Sequence, residues 1–427
     1  MGRIQNFEDL NKSEIRNAAL TILESAYNSI DTEEVVKKMI SVVRNILLIG
    51  ETKIPLDSVD RIFVVGAGKC SPKAACAVEK ILGERITGGI VLGTKKRDLC
   101  SLTMREGTHP YPSEANISAT KELLEILHGL TPRDLVIALV SGGGSTLLCN
   151  PQNMTCQAER DIVQAMFEKG ATINELNTIR KHISGARGGM LAYHAYPARI
   201  VSLIFSDVPG NTGMDMVASG PTILDPTTVS DAMVIIKKYN LEHYFPDGSL
   251  IETVKDEKFF ERVTNILAVS NDNALRTMKK TAESLGFSSS IITNTLSGEA
   301  RVIGKEIVEK IKNAPSKTAY FWGGEPTVTI TQKGKGGREL ELVLSAVPHV
   351  DEHVLIVGAA SDGRDNSDFA GAICDIMTLK NAQAKNIDPI KSLKENTSYK
   401  FFETVGDFIL TGETGENVSD LIFALKQ

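Results

Sequence analysis

Long apolar runs are missing from this sequence of 427 residues. None approaches the ~18 consecutive apolar residues that read as a membrane-spanning helix. The opening MGRIQNFEDLNKSEI is polar and has no signal-peptide core. No Lys/Arg-rich block occurs and the net charge is −6, so nucleic acid and membrane are not expected partners. The six cysteines (Cys70, Cys76, Cys100, Cys149, Cys156, Cys374) follow neither a disulfide rhythm nor metal-ligand pairing. In a chain this long they read as reduced thiols, and the expected location is the cytoplasm. Two nucleotide signatures are absent as well. A Walker A loop around Lys69 needs glycine at position 63, where Phe63 stands; a dinucleotide fingerprint needs a third glycine at position 71, where Ser71 stands.

What is present is an α/β pattern. The first sixty residues, including NAALTILESAYNSI and VVKKMISVV, show helix-like apolar spacing. RIFVV, GGIVLG, DLVIALVS and RIVSLIFSD are then short continuous apolar runs, which suit strands buried on both faces. Helical stretches separate them, among them PKAACAVEKIL, ATKELLEILHG and the segment from Asn174 to His194. A second series begins at ILAVS (266–270) and continues through SIITNT, AYFWGGE and HVLIVGAASDG, with PTVTIT (326–331) as a candidate antiparallel strand. The polar stretch 242–259 between the series reads as a linker. The expected architecture is two three-layer α/β/α domains, 1–250 and 251–427. The first would be Rossmann-like with a mostly parallel sheet, the second mixed, with the active site in a cleft between them.

Glycines and acids cluster just past the strand ends, where open α/β sheets bind ligands. GAGK (66–69) offers backbone amides at Gly68 and a full charge at Lys69, although such a turn alone is equally an ordinary tight turn. SGGGS sets Ser141, Gly142, Gly143, Gly144 and Ser145 after a wholly apolar strand, and three glycines in a row suit close approach of an anion to bare amides. Asp207, Asp215 and Ser219 follow another strand; Glu325 in GGEPT stands in the same relation to its own. Arg338 in GGRELE falls at a helix start, where a cation opposes the dipole and hints at an anionic ligand. SDGRDNSD, with Asp362, reads either as a seat for a hard cation or as a solvated loop. TGETGENVSD adds Gly412, Thr414 and Asn417. His109 in EGTHPYP is a candidate ligand or base, against the commoner structural histidine. His182 is expected to pack or cap, while Arg180, Lys181 and Arg187 form a solvated face or line the cleft.

Taken in order, GAGK, EGTHPYP, SGGGST, NTIRKHIS, SDV…ASGPT, GGEPTVT, GGRELEL, SDGRDNSDFAG and TGETGENVSDL resemble the class II glycerate 2-kinases, the family with a C-terminal MOFRL domain. The resemblance runs from about residue 12 to the end. It implies transfer of the ATP γ-phosphoryl group to the 2-hydroxyl of D-glycerate with a divalent cation, Mg²⁺ or Mn²⁺. It places the active-site lysine on Lys69 and the arginine on Arg338; Asp207, an acid just past its strand end, is a third catalytic candidate read from the sequence itself. Gly68, His109, the 141–145 loop, Arg180, Asn271, Glu325, Asp362, Gly412, Thr414 and Asn417 become substrate or nucleotide contacts, and Asp207 and Asp362 the metal candidates. Partners would be small molecules, with a homodimer allowed. Thr108 and Ser113 in GTHPYPSE, Glu339 and Leu340 in GRELE, and SDVPGN depart from the family pattern. Some relatives are labelled hydroxypyruvate reductases, and a sensor of sugar acids would use the same anion-binding loops. The missing third glycine argues against the reductase; Lys69, Arg338 and the acidic loops argue for catalysis.

Overall fold

The Val/Ile runs after residue 60 become the middle of a parallel sheet because each must hide both faces. The structure, a computed structural model, describes residues 2–208, 210, 213–245 and 249–427. Part of the SDVPGN motif (Pro209 and Asn211), Thr212, and 246–248 of the expected linker therefore lie outside the described residues. The chain divides into two compact units.

One unit comprises Thr32–Ser206 and Thr212–Val269. It opens with a small antiparallel sheet of β1 (Ile40–Val43), β2 (Ile46–Ile49) and β3 (Thr52–Pro55). The helix-like reading of VVKKMISVV fails at this point. Arg44 and Asn45 both take left-handed φ (47° and 62°), the geometry that turns a tight hairpin. The main sheet holds β4 (Arg61–Ala67), β5 (Gly88–Gly93), β6 (Thr103–Glu106), β7 (Asp134–Ser141), β8 (Arg199–Phe205) and β9 (Val263–Val269). Their spatial order is β6-β5-β4-β7-β8-β9, all parallel. From β4 the chain winds outward to one edge, and from β7 to the other. The order therefore reverses between β4 and β7, the switch point at which doubly wound sheets bind ligands. Ala67 pairs with Val140, so GAGK and SGGGS leave the sheet side by side.

The other unit comprises Met1–Asp31, Asp207–Asn211 and Ser270–Gln427. Its mixed sheet holds β10 (Ser288–Leu296), β11 (Thr318–Gly324), β12 (Val354–Ala360), β13 (Gly371–Cys374), β14 (Phe408–Ile409) and β15 (Asp420–Lys426), in the order β10-β11-β15-β12-β13-β14. The β10–β11 pairing is parallel and the other four are antiparallel. The helices Ala300–Lys312 and Arg338–Ala346 supply much of the core, with Ile307, Leu340, Val343 and Phe402 packed together.

The boundary expected at 250/251 is displaced. ILAVS opens no second series: β9 is the edge strand of the parallel sheet, paired with β8. The stretch read as a linker is packed, since Ile251 N donates to His182 O at 2.8 Å and the Thr253 hydroxyl to buried Asp225 at 3.0 Å. The N-terminal helix Glu14–Ser29 belongs to the mixed-sheet unit, held by Arg16, which bonds Asp375 and Asp407 at 2.7 Å with no exposed surface. PTVTIT forms no strand: Thr327 makes an isolated parallel bridge with Glu299, while the amides of Thr329 and Thr331 turn to the side chains of Glu299 and Asn396. The antiparallel neighbour of β11 is β15, from the far end of the chain. The helix expected from Asn174 to His194 breaks into Ile173–His182 and Met190–Ala195, with Gly188 and Gly189 at left-handed φ between them.

Candidate functional site

Two glycine turns meet at the switch point. Gly68 has φ 138°, and a Cβ placed there would lie 2.0 Å from Ser141 Oγ, so only glycine fits. The turns are then tied together: Lys69 N donates to Gly142 O at 2.9 Å, and Cys70 N to Ser141 Oγ at 3.3 Å. Ser71 is buried and its hydroxyl donates to Leu139 O at 2.9 Å, with Ser141 Oγ at 3.0 Å. The residue that spoils a dinucleotide fingerprint is thus a clasp between β4 and β7.

Across the loop, Gly143 takes the left-handed conformation (φ 81°). A Cβ there would stand 3.2 Å from Lys69 Cγ and 3.3 Å from His109 Cδ2. Lys69, His109 and Gly143 therefore line one small region. Lys69 is exposed and forms no ion pair among the described residues. His109 is held below its ordinary pKa, first by partial desolvation and then by the charges of Lys69 and Arg180. The imidazole is consequently neutral at neutral pH. Behind the loop, Ser219 Oγ donates to Asn177 Oδ1 at 2.8 Å and lies 3.0 Å from Ser145 Oγ.

The other candidates on this unit sort clearly. Arg180, Lys181 and Arg187 are all buried, so none belongs to a solvated face. Lys181 bonds Asp225 at 3.1 Å and Arg187 bonds Glu159 at 2.7 Å, both internal ion pairs. His182 packs as expected, its ring nitrogens at Ile251 O and Thr227 Oγ1. Two family departures are scaffolding. Asn116 Oδ1 accepts from Thr108 N at 2.9 Å and from the Ser113 hydroxyl at 3.0 Å, fixing the turn that carries His109. Neither Thr108 nor Ser113 needs to touch a ligand.

On the mixed sheet, Asp420 opens β15 between the ends of β11 and β12, paired with Gly324 and Ala360. Arg338 binds it in a fork, through Nε and through Nη2, the latter at 3.1 Å, and also lies 3.5 Å from Glu325. Burial pulls the Arg338 pKa down, but the Asp420 bonds and charge more than reverse this. Arg338 therefore serves the fold as well as the site: Asp420 is 1% exposed and needs that partner. A cavity of about 650 Å³ opens here, lined by Arg338, Asp362, Asn366, Ser398, Asn417 and Asp420 among others.

Asp362 is exposed and accepts Arg364 N at 2.9 Å. Asn417 is exposed; Thr414 is buried, donating to Ser361 O at 2.7 Å, so it shapes the loop and is withdrawn as a contact. Gly412 O would lie 1.9 Å from a Cβ at Gly363, which packs the loops 361–363 and 411–417 together. Asn271 has no exposed surface; its amide donates to Val418 O and Asp420 O at 2.8 and 3.0 Å, and its Oδ1 has no hydrogen-bond partner among the described residues. The main-chain carbonyl of Asp207 accepts from Ser419 Oγ at 2.9 Å, which anchors the turn after β8. No group of three or more His, Cys, Asp or Glu able to hold a metal occurs among the described residues.

Sequence reasoning missed Asp420, the last residue of a motif it had quoted, and Asn177, one helical turn before Arg180. It also missed a buried acid cluster. Glu339 is fully buried with neither carboxyl oxygen hydrogen-bonded, and the absent Cβ of Gly358 leaves room for it. Burial, then Asp420 and Asp365, push its pKa well up; burial also raises Asp365 to about 7 and Asp420 to about 6. These acids hold protons more tightly folded than unfolded. Their contribution to stability is full at low pH and is lost as pH rises from the ordinary carboxylate range through the folded values. Glu339→Gln removes one of them. Its melting temperature relative to the parent should therefore climb as pH rises from the ordinary carboxylate range to neutral and above. A difference that stays flat across that range would refute the buried, protonated Glu339.

The family described as "Domain of unknown function (DUF4147)" matches residues 18–250, and the MOFRL family matches 318–420. A D-glycerate 2-kinase of Thermotoga maritima is 36% identical over 410 residues, covering 92% of this chain and 97% of its own. A putative hydroxypyruvate reductase of Agrobacterium vitis is 36% identical over 380 residues, covering 84% of this chain and 86% of its own. The crystal structure of a glycerate kinase from Thermotoga maritima superposes with a TM-score of 0.87 at 32% identity, covering 97% of this chain and 99% of that one. Among the described residues, no helix is long and apolar enough to cross a membrane.

Proposed function

The chain belongs to the glycerate kinase family built from DUF4147 and MOFRL domains, and from that premise we propose how its residues carry the reaction. It is a glycerate kinase with ATP as co-substrate. The γ-phosphoryl group goes to the 2-hydroxyl of D-glycerate, giving 2-phospho-D-glycerate and ADP. The observation that carries this reading is the clasped pair of glycine turns, which holds Lys69 beside the 141–145 loop without a carboxylate partner among the described residues. Phosphoryl transfer asks the protein for positioning and charge neutralisation more than for covalent help. Lys69 supplies a free point charge for the transferring group, and amides of the 141–145 loop surround it. Arg338, oriented by Asp420, keeps the remaining donors of its fork for a phosphate oxygen.

A divalent cation, Mg²⁺ or Mn²⁺, fits a kinase that offers only one or two carboxylates, because the nucleotide phosphates and water complete the shell. Exposed Asp362 is the preferred carboxylate here, with Asp207 second; Asn417 lines the same cavity as Asp362, and Glu325 lies 3.5 Å from Arg338. When bound, the cation neutralises phosphate charge. The reductase reading gains nothing from the fold, since buried Ser71 occupies the third-glycine position.

Product formation tests the proposal. The protein, supplied with ATP, Mg²⁺ and D-glycerate, should feed enolase directly, with no phosphoglycerate mutase added, and excess EDTA should abolish the signal. A signal that requires mutase would make the product the 3-phosphate and refute the regiochemistry. Turnover undiminished by EDTA would refute the cation.

A further inference from the structure

Arg180 is the unexplained charge in the parallel-sheet unit. It is 8% exposed, its Nε has no hydrogen-bond partner, and it makes no ion pair among the described residues. Glu159, the acid whose charge reaches it, is already bonded to Arg187 at 2.7 Å and also accepts the Cys149 thiol. Burial and the charge of Arg187 draw the Arg180 pKa down to about 10. A buried cation without a counter-ion destabilises the fold. Its place in the last turn of the helix Ile173–His182 offsets only part of that cost. An arriving anion would offset the rest.

The direction of Arg180 follows from its helix. Asn177 lies three residues earlier, on the same face. That face is joined to the glycine loop by the chain Asn177–Ser219–Ser145, with links of 2.8 and 3.0 Å. On the loop's other flank stand His109 and Lys69 against Gly143. The charges of Lys69 and Arg180 both act on the His109 imidazole. Arg180 is buried while Lys69 and His109 are exposed, so a ligand would reach the guanidinium with its innermost end.

That end must be compact and singly charged. A carboxylate matches the guanidinium fork with two parallel hydrogen bonds. A triphosphate carries several charges that one buried arginine cannot balance, and exposed Lys69 suits it better. In an α-hydroxy acid the hydroxyl is on the carbon next to the carboxylate, which brings it toward neutral His109, an acceptor.

Resting on the kinase reading above, we propose that Arg180 is the receptor for the carboxylate of the α-hydroxy acid and that His109 accepts the proton of its 2-hydroxyl. The hydroxyl oxygen forms the new bond to the γ-phosphorus of ATP as its proton passes to an imidazole nitrogen. The bond from that phosphorus to the ADP oxygen breaks, and its electron pair leaves with ADP. The imidazolium then returns its proton to solvent.

The test uses the full-length protein and reads equilibrium binding, so it stands apart from turnover. Calorimetry should show the parent binding D-glycerate and discriminating strongly against glyceramide, the amide analogue. In Arg180→Gln glycerate should bind on the order of 10²-fold more weakly, with that discrimination lost and ADP affinity unchanged. Because Arg180 is buried, the parent carries a second readout. Saturating glycerate should raise the His109 pKa, followed by imidazole NMR, as the Arg180 charge is neutralised. His109→Gln should then lower kcat on the order of 10²-fold or more with little change in the KM for glycerate. Weakened ADP binding with intact glycerate binding in Arg180→Gln would overturn the assignment. So would equal binding of glyceramide by the parent, or a His109 pKa indifferent to glycerate. If the parent binds glycerate in this manner but forms no phosphoglycerate, the kinase reading fails while the carboxylate receptor stands.

Discussion

Lys69→Met should lower kcat on the order of 10²-fold or more while weakening nucleotide binding far less. A charge that acts on the transferring phosphoryl group matters most in the transition state, and there it stabilises charge that the ground state lacks. The side chain is exposed and unpaired among the described residues, so its removal should leave the melting temperature within a few degrees of the parent. Arg338 needs a different variant. Its removal would strand Asp420, which is 1% exposed, and a loss of activity would then be mixed with a loss of fold. Arg338→Lys keeps the charge but cannot reproduce the fork to Asp420, and should lose most turnover while remaining folded. Steady-state kinetics beside thermal unfolding separates these outcomes. Normal turnover by Lys69→Met at saturating substrates would remove Lys69 from the mechanism.

The largest effect on stability should come from Arg16→Met. Arg16 has no exposed surface, and its guanidinium is shared by Asp375 and Asp407, each at 2.7 Å. Asp407 is likewise fully buried. Burial pulls the Arg16 pKa down, and the bonds to the two carboxylates raise it beyond its ordinary value, so the guanidinium stays charged. Methionine would fill similar volume but leave two buried carboxylates with half-exposed Lys12, 4.0 Å from Asp407, as their remaining counter-charge. Breaking a buried pair in this manner costs about 3–5 kcal/mol. Urea unfolding should show the mixed-sheet unit losing stability on that scale. A change below about 1 kcal/mol, the scale of a surface ion pair, would mean that Arg16 is not buried among these acids.

The parallel sheet was legible because β4, β7 and β8 are continuous apolar runs that fit nothing else, with glycine turns at their ends. The loops were legible for the same reason. The hairpin of β1 and β2 was hidden, since four-residue strands joined by Arg44–Asn45 carry neither Gly nor Pro at the turn and follow a true helix. The boundary was hidden by contacts distant in sequence. Arg16 meets its partners 359 and 391 residues away, and β15 inserts between β11 and β12 from the end of the chain. At the site, sequence order marked the loops but not which donors were already engaged. Thr414 resembles a ligand contact until its hydroxyl is seen to hold the loop before β15. Arg180 reads as one basic residue among three, until Lys181 and Arg187 prove to have buried partners.

The central claim is transfer to the oxygen on C2 of glycerate. Phosphorus NMR of the product, recorded with proton coupling retained, tests it most directly. The C2 oxygen is borne by a carbon with one hydrogen and the C3 oxygen by a carbon with two. A product phosphorus split into a doublet is the result expected from the full-length protein with ATP, Mg²⁺ and D-glycerate. A triplet, or ATP consumed with no phosphoglycerate formed, would contradict it.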